Sequence, residues 1–333
     1  MKLIALLLLI GFSSCSSSPG VTTPVNDPPQ DTGITNPVLD QDFPDPTVIH
    51  AGGKYYAYAT QTLYQGKTIN IQVASSSDLQ HWEVLGDALP EKPSWARTTQ
   101  DFWAPHVCYD STLKKYVMFY SAESDEQQTD KCLAVAFADK PEGPFVDKGT
   151  PLRTGKGFGN IDPMAFTDPE TGKKLLYWGS DGQPIRVQEM TDDWTGFKPG
   201  TQPQPVLWAK QESSYSHLIE GAWLSMHDGK YYLYYSGDNC CGNNPNYAVM
   251  VARADHAEGP FVRLGEANGS NSSVILEKDD NWLAPGHNSI FKDDNGTEWI
   301  AYHAMDPKAK GPRVMCLSPI VYKDGWPVVS TGK

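Results

Sequence analysis

Three carboxylates in this chain stand where solubility does not explain them. Five short segments of related design recur along it: Asp42–Pro46, Phe102–His106, Gly159–Pro163, Ile219–Trp223 and Gly286–Ile290. Asp45, Asp162 and Glu220 occupy three of them at matching register, nine to twelve residues ahead of an aromatic run. If the segments converge on one axis, three acids meet in one place, at a cost in desolvation and mutual repulsion. Such crowding keeps one acid protonated at neutral pH while another stays ionised. That split is the division of labour of glycoside hydrolysis, in which a general acid protonates the leaving oxygen and a general base activates water. Acids that merely cap turns or pair with a buried arginine are the plainer reading. A calcium site would need six to eight oxygens, usually spaced along one loop, whereas these acids are far apart in sequence.

The elements that must position them follow from an internal repeat. Five runs share one pattern: Lys54–Thr60, Lys115–Ser121, Lys174–Ser180, Lys230–Ser236 and Glu298–Ala304, their first residues 56 to 68 positions apart. They are too short for helices, rich in strand formers, and preceded by turn signals such as Asp228-Gly229 and Asn295-Gly296. A second repeat supports the period, since Ala138–Val146 and Ala254–Val262 are nearly identical and lie two units apart, with Ser76–Val84 in the matching place of the first unit. Four short strands per unit, repeated radially, describe a β-propeller blade, because each small sheet buries its faces only against its neighbours. The expected fold is all-β, a five-bladed β-propeller over residues 39–333, with the five short segments, three of them acid-bearing, as innermost strands lining a channel. A β-sandwich does not account for the repeat.

Composition narrows the partners. With 40 acidic against 27 basic residues and a net charge of −13, there is no basic surface for nucleic acid or anionic lipid. Met1-Lys2, the apolar run Leu3–Phe12 and Ser13-Ser14-Cys15 form a leader too short to span a bilayer. They resemble a bacterial lipoprotein signal ending at a lipidated Cys15, with residues 16–38 as a Ser/Thr/Pro-rich tether. The expected location is therefore across the inner membrane, periplasmic or outer-membrane associated, with membrane contact through the lipid alone. The five remaining cysteines have no zinc-type spacing. Cys240-Cys241 is either a vicinal disulfide or two free thiols. Nucleophile-elbow, Walker and H-E-x-x-H motifs are absent from the sequence.

Taken in order, Asp45-Pro46, Phe102-Trp-Ala-Pro105, Ile161-Asp-Pro163, Glu220-Gly-Ala-Trp223, Gly286-His-Asn-Ser289, Gly311-Pro-Arg313 and Gly325-Trp-Pro327 resemble family 43 glycoside hydrolases. The resemblance covers every repeat and implies a five-bladed propeller and hydrolysis with inversion on plant cell-wall polysaccharide. It implies Asp45 as general base, Glu220 as general acid, and Asp162 as the residue that orients Glu220 and raises its pKa. It further implies that Trp103 supplies a wall for a sugar face and that Arg313 binds a sugar hydroxyl or carboxylate. His287 would line the pocket and, as in arabinan-cleaving members, hold a structural calcium ion on the axis through water; no cofactor is required. Tyr235–Gly242 resembles the matching segment of arabinan-directed members, and the short tail after Pro327 counts against a xylan-type reading that depends on an added module. The expected substrate is arabinan or arabinose side chains. β-Xylosidase and galactan-cleaving activities are the alternatives, and a propeller that binds sugar without cleaving it is the alternative class. Exo or endo action and oligomeric state are not legible.

Overall fold

Alternation of aromatic and β-branched residues with short Gly- and Asn-containing turns yields a strand at every aromatic run, whereas two of the five segments expected as innermost strands, Asp42–Pro46 and Gly159–Pro163, lie outside strands, just ahead of Thr47–Ala51 and Met164–Thr167. A computed structural model describes residues 33–126, 130–180, 182–210, 215–308 and 311–329. The leader, Cys15 and the tether up to residue 32 lie outside the described residues. Five antiparallel sheets form the blades. Blade 1 comprises Thr47–Ala51, Lys54–Ala59, Gln72–Ser76 and Glu83–Asp87; blade 2 comprises Phe102–Asp110, Lys115–Glu123, Lys131–Ala138 and Val146–Asp147. Blade 3 comprises Met164–Thr167, Lys174–Trp178, Ile185–Glu189 and Gln204–Leu207. Blade 4 comprises Ile219–His227, Lys230–Asn239, Asn246–Ala254 and Val262–Arg263, with Val274–Leu276 added to its third strand. Blade 5 comprises Leu283–Lys292, Glu298–Met305, Arg313–Lys323 and Trp326–Val329. All five aromatic runs form the second strand of their blade, as the repeat requires.

The core is divided in the same way. Five apolar clusters lie between blades 1 and 2, 2 and 3, 3 and 4, 4 and 5, and 5 and 1, so every blade buries both faces against a neighbour. The second repeat has a role in this packing. Tyr58 donates to the Pro141 carbonyl at 2.5 Å and Tyr177 to that of Ala257 at 2.6 Å, each reaching the repeated turn of the next blade. The ring closes where Val38 donates to the Met315 carbonyl at 3.0 Å and Phe43 to that of Arg313 at 2.8 Å. Asn36 exchanges two bonds with the Leu317 backbone, so part of the expected tether is fastened to blade 5. Among the described residues one five-residue helix, Leu264–Asn268, interrupts the strands. Cys240 and Cys241 are disulfide-bonded, while Cys108, Cys132 and Cys316 are free.

At or just ahead of the start of each innermost strand one residue turns left-handed at a matching place: Asp45 (φ 58°), Ala104 (47°), Asp162 (57°), Gly221 (60°) and His287 (44°), with Ala284 (47°) a second such residue in blade 5. Four of the five are not glycine, a strain of about 1–3 kcal/mol each that the surroundings must hold in place. The holding bond is the same in four places and crosses to the preceding blade. Ala104 donates its N–H to Thr60 Oγ1 (2.8 Å), Asp162 to Ser121 Oγ (3.0 Å), His287 to Ser236 Oγ (2.8 Å) and Asp45 to His303 Nδ1 (3.2 Å). The accepting residue sits opposite the residue before its own blade's kink, as in Trp103 with Ser121, Glu220 with Ser236 and Gly286 with His303. Blade 3 has Gly179 at this place, its N–H bonded to the Ile161 carbonyl. With no side chain there, the Gly221 N–H goes instead to Asp162 Oδ2 at 3.0 Å.

Ser121→Ala and Ser236→Ala should each lower stability by about 1–3 kcal/mol, the cost of an unpaired buried amide, measured by urea denaturation. Losses no larger than those of exposed serines would remove the cap from the account of blade order.

Candidate active site

The kinks turn the acids toward one another, although not at one register. Gly221, not Glu220, matches Asp45 and Asp162; Glu220 lies one residue earlier, so the matching register expected for the three acids does not hold. A Cβ on Gly221 would come within 3.3 Å of the His287 ring, so glycine at this kink leaves room for that ring beside the acids.

Asp45 is buried and well supplied with partners. Thr60 Oγ1 donates to its Oδ2 at 2.5 Å, Arg313 Nη1 to its Oδ1 at 3.2 Å, and His287 Nδ1 lies 3.4 Å from Oδ1. Burial opposes its ionisation, but Arg313, His287 and His303 together outweigh burial and hold the carboxyl well below the ordinary range. Arg313 reaches it because ring closure ties the start of its strand to the first segment, its own N–H bonding Asp42 Oδ1.

Glu220 is in the opposite condition. It is half-buried at the channel mouth and accepts one bond, from the Tyr247 hydroxyl to Oε1 at 2.9 Å. Burial pushes its pKa up to about 7, with repulsion from Asp45 adding to the rise and Tyr247 and Arg313 opposing it. Asp162 is also raised, by burial first and then by Glu220 and Asp45. Two buried acids that repel each other release their protons in steps that belong to the pair. Asp162 therefore does two things: it fixes the peptide that follows Glu220, and it keeps negative charge from accumulating beside it. His287 lies between the acids, its Nδ1 3.9 Å from Asp162 Oδ2. Burial lowers its pKa, so the ring is neutral at neutral pH.

Trp103 is the residue before the kink of blade 2, the counterpart of Glu220 in blade 4. Its ring is parallel to Phe158 within 8°, centroids 5.8 Å apart, and Lys131 Nζ lies over both, at 4.2 and 5.5 Å. The two parallel rings and the ammonium form one aromatic and cationic cluster beside the kink of blade 2. Lys131 is fixed by Asp101 (2.6 Å) and Glu123 (3.0 Å), and Phe158 keeps 43% of its surface exposed. All six residues singled out from the sequence thus belong to this end of the channel or its rim. Thr60, His303, Tyr247, Phe158 and Lys131 were not singled out. A signal existed for the first: four aromatic runs end in a hydroxyl, Thr60, Ser121, Ser180 and Ser236, although Ser180 is displaced from the accepting position by Gly179.

Comparison with known proteins agrees with this geometry. Residues 34–327 match Glycosyl hydrolases family 43. The chain belongs to that family. This family 43 protein is 29% identical over 305 residues to the probable arabinan endo-1,5-alpha-L-arabinosidase A of Aspergillus flavus, covering 86% of this chain and 90% of that one. It is 26% identical to the extracellular endo-alpha-(1->5)-L-arabinanase 1 of Bacillus subtilis, with 89% and 88% covered. Among solved structures it superposes on the endo-1,4-beta-xylanase from Bacteroides thetaiotaomicron with a TM-score of 0.74 at 30% identity, covering 89% and 96%. As a family 43 member it is an inverting glycoside hydrolase, and its hydrolytic chemistry calls for no cofactor.

Proposed function

We propose that this enzyme hydrolyses the α-1,5 linkages of arabinan, with Asp45 as general base and Glu220 as general acid. The observation that carries the roles is the split within one cluster: Asp45 is held well below the ordinary carboxyl range while Glu220 is pushed up to about 7. Near neutrality Asp45 accepts the proton of a water that attacks the anomeric carbon. Glu220 gives its proton to the departing oxygen as the glycosidic bond breaks. Inversion by this route requires the two carboxyls to stand roughly 6.5–9.5 Å apart, with the water between. The supports of the two acids are packed against each other, since the Asp45 amide bonds His303 and Glu220 bonds Tyr247, and those two rings stack with centroids 5.7 Å apart. Asp162 is the positioning residue for Glu220, acting through the Gly221 amide.

The Trp103 and Phe158 pair, with Phe158 partly exposed, offers an aromatic face to a saccharide ring at the rim, and Arg313, already bonded to Asp45, can reach a sugar hydroxyl beside it. Arabinan as substrate rests on the two arabinan-cleaving relatives and on the Tyr235–Gly242 segment. A β-xylan substrate is the second reading, favoured by the similarity to a protein named as a xylanase.

His287 is also the proposed single protein contact of a water-coordinated calcium ion on the axis. Among the described residues no three His, Cys, Asp or Glu side chains form a metal-binding group, so such an ion fits only through water. With Nδ1 turned to Asp45 and Asp162, Nε2 is the nitrogen left to face it. The ion's contribution is structural, offsetting repulsion among the acids, and a chelator should then lower the melting temperature. The enzyme is placed by this reading outside the inner membrane on a lipid at Cys15; Cys15→Ser should release it from membranes.

The decisive experiment is chromatography of products from debranched arabinan, arabinoxylan, xylo-oligosaccharides and galactan, with Glu220→Gln and Asp45→Asn in parallel. Arabinose or arabino-oligosaccharides are expected, with rates reduced about 10²–10⁴-fold in each variant, and product length separates exo from endo action. Xylose or galactose would overturn the substrate. Variants as fast as the wild type would overturn the roles.

A further inference from the structure

Tyr247 is fully buried and lies on the third strand of blade 4, while the acid it contacts lies on the first. Its ring is parallel to that of His303 within 2°, and His303 belongs to blade 5 and bonds the Asp45 amide. The slot that receives the ring exists because residue 286 is glycine: a Cβ there would stand 2.0 Å from a Tyr247 ring carbon. Gly286 is also the cross-strand partner of His303. The phenol is thus held on two sides by blade 5 and delivers one hydrogen bond to Glu220. A hydroxyl that served only to fill space would not need a ring seated between two blades.

We propose that Tyr247 is a positioning residue for proton donation, its hydroxyl occupying Glu220 Oε1 so that the acidic proton rides on Oε2, and its stack on His303 setting the acid against the base. The inference rests on the reading of Glu220 as general acid. In the step itself the Tyr247 proton stays on its own oxygen. Only the Oε2 proton moves, to the leaving oxygen, and the resulting carboxylate keeps the phenol bond. The bond therefore strengthens as the acid ionises, a stabilisation present in the transition state more than before it. The charged and titratable groups that also act on Glu220 are Asp45, Asp162 and Arg313.

Tyr247→Phe keeps the ring, the stack and the slot, and removes the hydroxyl alone. On arabinan its kcat should fall about 10- to 100-fold, with KM unchanged within about twofold. On an arabino-oligosaccharide glycoside of dinitrophenol, whose leaving group departs without a proton, the loss should shrink to about threefold or less. Because the phenol bond lowers the Glu220 pKa, its removal should also move the alkaline limb of the rate profile to higher pH. Glu220→Gln, run on the same two substrates, tests the underlying assignment separately, since it must show the same recovery if Glu220 is the acid. Recovery in Glu220→Gln without it in Tyr247→Phe, or an effect of Tyr247→Phe confined to KM, would overturn the role of Tyr247. Equal losses of Glu220→Gln on both substrates would overturn the acid assignment itself.

Discussion

Everything at the mouth of this channel depends on a backbone amide that cannot be left unpaired. Each innermost strand makes a left-handed turn, and each turn presents a buried N–H away from its own sheet. The preceding blade supplies the acceptor, so blades are joined near the axis by hydrogen bonds as well as at their flanks by apolar contact. A strained residue so held cannot relax, and its side chain is aimed by the same bond. Two of the residues in these turns are Asp45 and Asp162, and a third, His287, is packed between them. Preorganisation of this kind costs stability once, at folding, and nothing during turnover.

The departures from the repeat are where the chemistry lies. Four acceptors are side chains at one structural position, and the fifth position is Gly179. Its missing side chain leaves the Gly221 amide to Asp162, which thereby becomes both a fold-holding group and a neighbour of Glu220. The ring closure does the corresponding service for Asp45. Arg313 arrives through the strand that bonds the first segment, and its charge, with His287 and His303 nearby, overcomes the burial that would otherwise neutralise Asp45. Two carboxyls of similar intrinsic acidity are thus driven apart, one by cations and donors and the other by burial and like charge.

Much of this was legible in the sequence. Five aromatic runs at a steady spacing gave the blade count, and acids recurring at one place in the repeat gave the cluster. The register of Glu220 was not legible, because the distance from each short segment to its aromatic run varies by a few residues and so cannot separate the kink residue from the one before it, the place that Glu220 shares with Trp103 and Gly286. Tyr247 and His303 were hidden for a different reason. Each sits within an apolar run, and a buried tyrosine in a β-rich sequence has the same local signature whether it fills a core or donates to a buried carboxyl. Only the meeting of blades 4 and 5 distinguishes them. Lys131 was equally mute, being one lysine at the start of a strand until the fold sets it beneath two aromatic rings.

The central claim is that Glu220 keeps its proton into the neutral range while Asp45 has lost its own. A carbon-13 titration of the side-chain carboxyls, with glutamate labelled at Cδ and Glu220 assigned by difference from Glu220→Gln, tests it most directly. The account predicts a midpoint near 7 for Glu220. A midpoint in the ordinary carboxyl range, close to 4.5, would contradict it, because the residue would then hold no proton to give at neutral pH.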